Sequence, residues 1–89
     1  MATFKLYGNL EPLVSGNQPL EVQAVTVRAA IEELVQRFPA LAGELVQSSG
    51  EYNRYYTLIV NGEMMEFLDD LNTQLAPTDE VTIFPPTAA

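Results

Sequence analysis

Apolar and polar residues alternate with two different periods along the chain, and the switch between them divides it into elements. Residues 3–7 alternate, with Phe4 and Leu6 on one face and Lys5 and Tyr7 on the other, which predicts a strand. Gly8, Asn9 and the stretch Ser15-Gly16-Asn17-Gln18-Pro19 predict a loop. Residues 20–24 follow as a second short strand, near enough to the first to form an antiparallel hairpin. The period then changes. Val27, Ala30, Ile31, Leu34, Val35 and Phe38 recur at helical spacing and form one apolar stripe, with Glu32, Glu33, Gln36 and Arg37 off it. Thr26 suits the N-cap, although Ala29 leaves a capping box incomplete. Pro39 closes this helix of residues 27–38.

A shorter helical turn is expected over residues 41–47, weakened by Gly43, and residues 48–53 read as an exposed loop. Residues 55–60 predict a third strand, followed by Asn61-Gly62, the strongest two-residue hairpin signal. Residues 63–67 then return as a fourth strand. A short turn is expected around Leu71 and Leu75, and residues 79–84 make a last strand, stopped by Pro85-Pro86. The order strand, strand, helix, strand, strand, strand predicts an α+β fold in which one mixed sheet of about five strands carries one main helix across one face. The other face of that sheet is open.

Composition narrows the chemistry. The 89 residues suit one domain, 1–89, that buries roughly 60–65% of its unfolded surface, with residues 85–89 as a flexible tail. There is no cysteine and no histidine, which removes disulfides, thiolate nucleophiles, the commonest general base and the commonest transition-metal ligand. No catalytic residue, metal site or cofactor is expected. The net charge of −8 opposes a nucleic-acid partner, and Lys5, Arg28, Arg37 and Arg54 are scattered. The acidity reads either as solubility or as steering toward a basic partner surface. No apolar run approaches the ~20 residues of a membrane span, and the first residues lack a signal-peptide pattern. A cytoplasmic protein without membrane contact is expected.

Alternation also predicts what the open face carries. With Phe4, Leu6, Val81 and Ile83 in the core, Tyr7 and Phe84 turn outward; with Met65 and Phe67 inward, Met64 and Glu66 turn outward. Tyr7, Met64 and Phe84 then form a candidate docking patch; the plainer reading is scattered exposed hydrophobes. Past Phe84, Pro85-Pro86 favours an extended, semi-rigid segment, and only the small residues Thr87, Ala88 and Ala89 follow. Such a tail can enter a narrow channel at low ordering cost; the plainer reading is an untethered terminus.

Leu58-Ile59-Val60-Asn61-Gly62, the strand Asp79-Glu80-Val81-Thr82-Ile83-Phe84 and the Pro85-Pro86 that follows resemble the ubiquitin-like sulfur carriers, most of all the small subunit of molybdopterin synthase. The resemblance includes the helix ending in Phe38-Pro39 and spans nearly the whole chain. It implies a β-grasp fold and a non-catalytic carrier of molybdenum cofactor biosynthesis. In that cycle an ATP-dependent, E1-like activating enzyme adenylates the C-terminal carboxylate, a thiocarboxylate is formed, and sulfur is delivered inside a large synthase subunit. By the resemblance, Thr87, Ala88 and Ala89 are the carrier tail, and Tyr7, Met64, Phe84, Pro85 and Pro86 bind partners.

Two departures qualify it. The family ends in Gly-Gly where this sequence has Ala88-Ala89, each adding a β-carbon and restricting φ. An altered end, a longer precursor and a member without the carrier role all fit that difference. Glu11 stands where some members carry a basic residue. A non-carrier β-grasp binding module, and a carrier for another sulfur pathway such as thiamine, are the alternatives. Glu66, Asp69 and Asp70 lack the spacing and glycine of a calcium loop and read as a solvated turn.

Overall fold

The computed structural model describes residues 1–16 and 18–86. Five strands and one long helix form: β1 (Ala2–Leu6), β2 (Leu20–Val22), α1 (Val27–Arg37), the one-turn α2 (Ala42–Leu45), β3 (Thr57–Val60), β4 (Glu63–Met64) and β5 (Glu80–Phe84). The sheet order is β2-β1-β5-β3-β4. β1 and β5 run parallel, with Leu6 opposite Ile83, and the other neighbours are antiparallel. This is the expected mixed sheet in its β-grasp arrangement. Joining β1 to β5 in parallel requires a long crossover, and everything from β2 to β4 lies within it.

The helix forms as its pattern predicts. Thr26 accepts a hydrogen bond from the Ala29 N–H at 3.2 Å, so one half of a capping box suffices. Val27, Ala30, Ile31 and Leu34 are buried against the sheet; truncating one of the larger three to alanine would cost ~2–4 kcal/mol. The β3–β4 hairpin turns through Asn61 and Gly62, both at positive φ (51° and 89°), as a type I′ turn demands. Asn61 also ties the turn to β5: its side chain accepts from the Glu80 N–H at 2.9 Å and donates to Asp79 at 2.8 Å.

The fourth strand is shorter than alternation predicts. Only Glu63 and Met64 pair with β3, and Met65–Phe67 continue as a 3-10 turn. At three residues per turn, Met65 still reaches the core, but Phe67 two residues on points away and is 77% exposed. Phe67 is therefore a surface residue. β3 likewise begins at Thr57, because Tyr55 and Tyr56 donate their N–H groups to Asn53 in a turn. The expected loop after β1 is instead a 3-10 segment, Gly8–Val14, burying Leu10 and Val14.

The ends of the second strand are held by side chains. β2 pairs with β1 only at Ala2, Thr3 and Phe4, and further along β1 the amide of Gln18 takes both backbone groups of Leu6. After Val22, the Gln23 and Ala24 N–H groups donate to Glu33 of α1 at 3.0 and 3.1 Å, and Arg37 donates to the Glu21 carbonyl at 2.6 Å. Among the described residues no helix is long and apolar enough to cross a membrane. The expected carrier tail, Thr87, Ala88 and Ala89, lies outside the described residues.

Candidate functional site

The parallel pairing of β1 and β5 brings their C-terminal ends to the same edge of the sheet. Side chains alternate along both, so the residue after Leu6 and the residue after Ile83 face the open side together. Tyr7 and Phe84 meet there as stacked rings, centroids 4.9 Å apart and 8° from coplanar. Lys5 places its Nζ 5.6 Å from the Tyr7 ring centroid, a cation–π contact on the same face. Phe84 is 38% exposed, which for a phenylalanine at a strand end leaves much of one ring face free for a partner.

Register places the remaining residues. Met64 lies opposite Ile59, Ile59 opposite Thr82, and Phe84 opposite Thr57. Met64 is thus on the open face and 39% exposed, but two strands and two residues away from Phe84. That offset is ~12 Å from strand spacing and rise alone. Ile59 stands between them, diagonal to Phe84. The open face therefore carries an apolar diagonal, Met64, Ile59, Phe84, Tyr7, rather than a cluster of three. With Leu58 and Val60 inward, alternation along β3 turns Ile59, the residue between them, to the open face.

Beyond Phe84 an open groove of about 810 Å³ is lined by Tyr7, Gly8, Arg54, Tyr55, Thr57, Phe84, Pro85 and Pro86. Pro85 and Pro86 are among its lining residues, so the chain leaves the sheet beside it. Tyr55, 75% exposed, and Arg54 line it as well. Arg54 is not legible as a site residue from alternation, because it lies before the predicted strand. Arg54 makes a two-pronged ion pair with Asp70, at 2.8 and 2.7 Å, and that bond, chiefly, holds the Asp70 carboxyl below its ordinary range. Of the other tyrosines, Tyr52 and Tyr56 are buried. Tyr52 donates to the Tyr56 carbonyl at 2.6 Å, and Tyr56 donates to Glu44 at 2.6 Å.

The groove holds one cation, aromatic rings and proline, which is the equipment of a docking surface with an extended chain leaving it. Among the described residues no group of three or more acidic side chains is placed to hold a metal ion; Glu66, Asp69 and Asp70 do not converge.

A family model described as the ThiS family matches residues 4–88. The sulfur carrier proteins CysO of Mycobacterium bovis and Mycobacterium tuberculosis are 30% identical over 81 residues, 89% of this chain and 87% of theirs. The crystal structure of SAMP1 from Haloferax volcanii superposes with a TM-score of 0.82 at 27% identity, covering 99% of this chain and 97% of that one. A chain of the Amycolatopsis orientalis BexX/CysO complex superposes with a TM-score of 0.86, covering 100% and 99%; at 24% identity that likeness shows the fold alone.

Proposed function

The chain belongs to the ThiS family of ubiquitin-like sulfur carriers, and from that premise we propose that it carries sulfur on its C-terminal tail, Thr87, Ala88 and Ala89. It is a carrier and not an enzyme: the chemistry is done to it by partners. In the proposed cycle an ATP-dependent, E1-like enzyme adenylates the tail carboxylate with release of pyrophosphate. A sulfur nucleophile then displaces AMP, and the thiocarboxylate is handed to an acceptor enzyme. A cytoplasmic setting suits the requirement for ATP. The observation that carries the proposal is the family match running through residue 88, so that it takes in Pro85, Pro86, Thr87 and Ala88.

The docking face is the diagonal of Met64, Ile59, Phe84 and Tyr7 with Pro85 and Pro86. The acceptor we read from the sequence is the large subunit of molybdopterin synthase. A second acceptor, outside molybdenum cofactor biosynthesis, is favoured by one specific observation: the curated relatives are sulfur carriers named CysO. Offering the thiocarboxylated chain to each acceptor and following sulfur transfer separates the two.

Ala88 and Ala89 bear on the first step. Each β-carbon widens the chain and narrows its backbone choices. The test is incubation with ATP, the activating enzyme and a sulfur source, read by intact mass. The chain carrying Ala88→Gly and Ala89→Gly is expected to gain an adenylate and then exchange one oxygen for sulfur, faster than the unaltered chain. No modification of either would overturn the carrier reading and leave a docking module that carries nothing.

A further inference from the structure

The residue after Tyr7 touches the residue after Phe84. Gly8 has φ +64°, and a β-carbon built there would stand 2.6 Å from Cγ and 3.2 Å from Cδ of Pro85. The first distance is far inside van der Waals contact, so the missing side chain of Gly8 is a seat filled by the proline ring. No other glycine is used in this way. Gly16, Gly50 and Gly62 also adopt positive φ, but a β-carbon on any of them would meet nothing within 4 Å. Those three serve turns, whereas position 8 excludes a side chain both by backbone conformation and by contact.

Three further ties hold the same corner. Leu6 and Ile83 are paired, the Tyr7 N–H donates to the Ile83 carbonyl at 3.1 Å, and the Tyr7 and Phe84 rings are stacked. Past Phe84 the ladder stops, since proline has no N–H to donate. From there the ring of Pro85 against Gly8 is what continues the hold on the chain, and the fixed φ of two successive prolines transmits its direction.

We propose that Gly8 is a positioning residue for the carrier tail: the seat it provides for Pro85 sets the direction in which the chain leaves the sheet. The purpose of this device rests on the carrier reading above; the contact itself does not. Each residue adds at most ~3.5 Å of reach, so a change of ~30° at Pro85 moves a point ~10 Å further along any chain by ~5 Å. Displacements of even 1 Å at a reacting group can cost ~100-fold in rate. A carrier that docks through Phe84 and reacts a few residues later needs that angle set before it docks.

The experiment has two readouts. The chain contains no cysteine, so Ala89→Cys accepts a single nitroxide label, and paramagnetic broadening of backbone amides maps where the tail lies. The otherwise unaltered chain should show broadening confined to one compact set of amides. Gly8→Ala, which drives its β-carbon into Pro85, and Pro85→Ala, which removes the ring without straining Gly8, should each redistribute it. In broadening, the double variant should match Pro85→Ala alone, because both changes break one contact, while its melting temperature falls further because of the positive φ at position 8. In the second readout, on the chain carrying Ala88→Gly and Ala89→Gly, Gly8→Ala should slow adenylation within the enzyme complex by about tenfold or more. Its affinity for the activating enzyme should be retained. Gly8→Ala lowering only the melting temperature, with broadening unmoved in it and in Pro85→Ala, would overturn the proposal. Absence of adenylation in every chain, the parent included, would instead overturn the carrier reading, and the broadening would still decide the role of Gly8.

Discussion

Gln18 stands in for a strand residue, and removing it should be costly for so small a change. Beyond the Phe4–Leu20 pair, β2 no longer reaches β1, yet Leu6 is fully buried on its other sides. The Gln18 side chain accepts from the Leu6 N–H at 2.5 Å and donates to the Leu6 carbonyl at 2.8 Å. An amide group can do both because it carries a donor and an acceptor at peptide-like spacing. Gln18→Ala leaves both backbone groups without their partner. Each costs ~1–3 kcal/mol if it stays unsatisfied, and water at this sheet edge recovers part of that. The net loss is ~2 kcal/mol, which in a chain of this size lowers the melting temperature by about 8–16 °C. Gln18→Glu refines the test. An ionised carboxylate keeps the acceptor, loses the donor and faces the Leu6 carbonyl; when protonated it regains the donor. Its folded pKa is then raised above the ordinary ~4.3. The interaction is present below that value and lost as pH rises through the folded one. Thermal melts of the three proteins across pH check this. A Gln18→Ala melt within about 2 °C of the parent, or a Gln18→Glu profile parallel to the parent's, would refute the reasoning.

Phe84→Asp should weaken binding to the activating enzyme or the acceptor by ~2 kcal/mol or more, about thirtyfold, if its free ring face is an interface centre. Titration calorimetry against either partner measures it, and unchanged affinity removes Phe84 from the interface. Glu33→Ala frees the N–H groups of Gln23 and Ala24 beside the outermost strand, at a cost of ~1 kcal/mol. It should also promote self-association through that edge, which analytical ultracentrifugation detects as concentration-dependent sedimentation. At alkaline pH the buried tyrosines dominate. Burial, then the charge of Glu66, raises Tyr52, and burial, then its bond to Glu44, raises Tyr56. Their contribution to stability is complete below the ordinary tyrosine value of 10.0 and lost as pH climbs through the raised folded values. Tyr52→Phe should cost ~1 kcal/mol at neutral pH and flatten that alkaline loss, as denaturant midpoints on both sides of the ordinary value would show.

Local signals were strong enough to reveal most of the fold. The stripe from Val27 to Leu34 has no reading except a helix laid on a sheet, and Asn61-Gly62 can hardly be anything but a hairpin turn. Where the pattern misled, a tighter helix had replaced the strand period. Met65 is core in either geometry, so it could not reveal that β4 ends at Met64, and Phe67 was assigned inward on a period that no longer applied. The 3-10 segment Gly8–Val14 was hidden by its own composition, because a glycine and Pro12 look like loop residues while Leu10 and Val14 do core work. Gln18 gave no signal at all: a polar residue before Pro19 is ordinary in a loop, and its role depends on where β2 stops.

The candidate site was legible in parts and not as a whole, for a reason of topology. Tyr7 and Phe84 could each be assigned to the open face from neighbours one residue away. Their stacking, the seat of Pro85 on Gly8 and the groove shared with Tyr55 all depend on β1 and β5 lying side by side. Those strands are the first and last elements of the chain, and no local period reports that they pair. The same fact has a mechanical consequence. A corner assembled from both ends of the sequence exists only when the crossover between them has folded. The direction given to the chain at Pro85 is therefore a property of the completed sheet, and an unfolded or partly folded carrier would expose the same tail sequence without aiming it. Activating enzyme that docks through Phe84 would then discriminate folded from unfolded carrier by rate as well as by affinity.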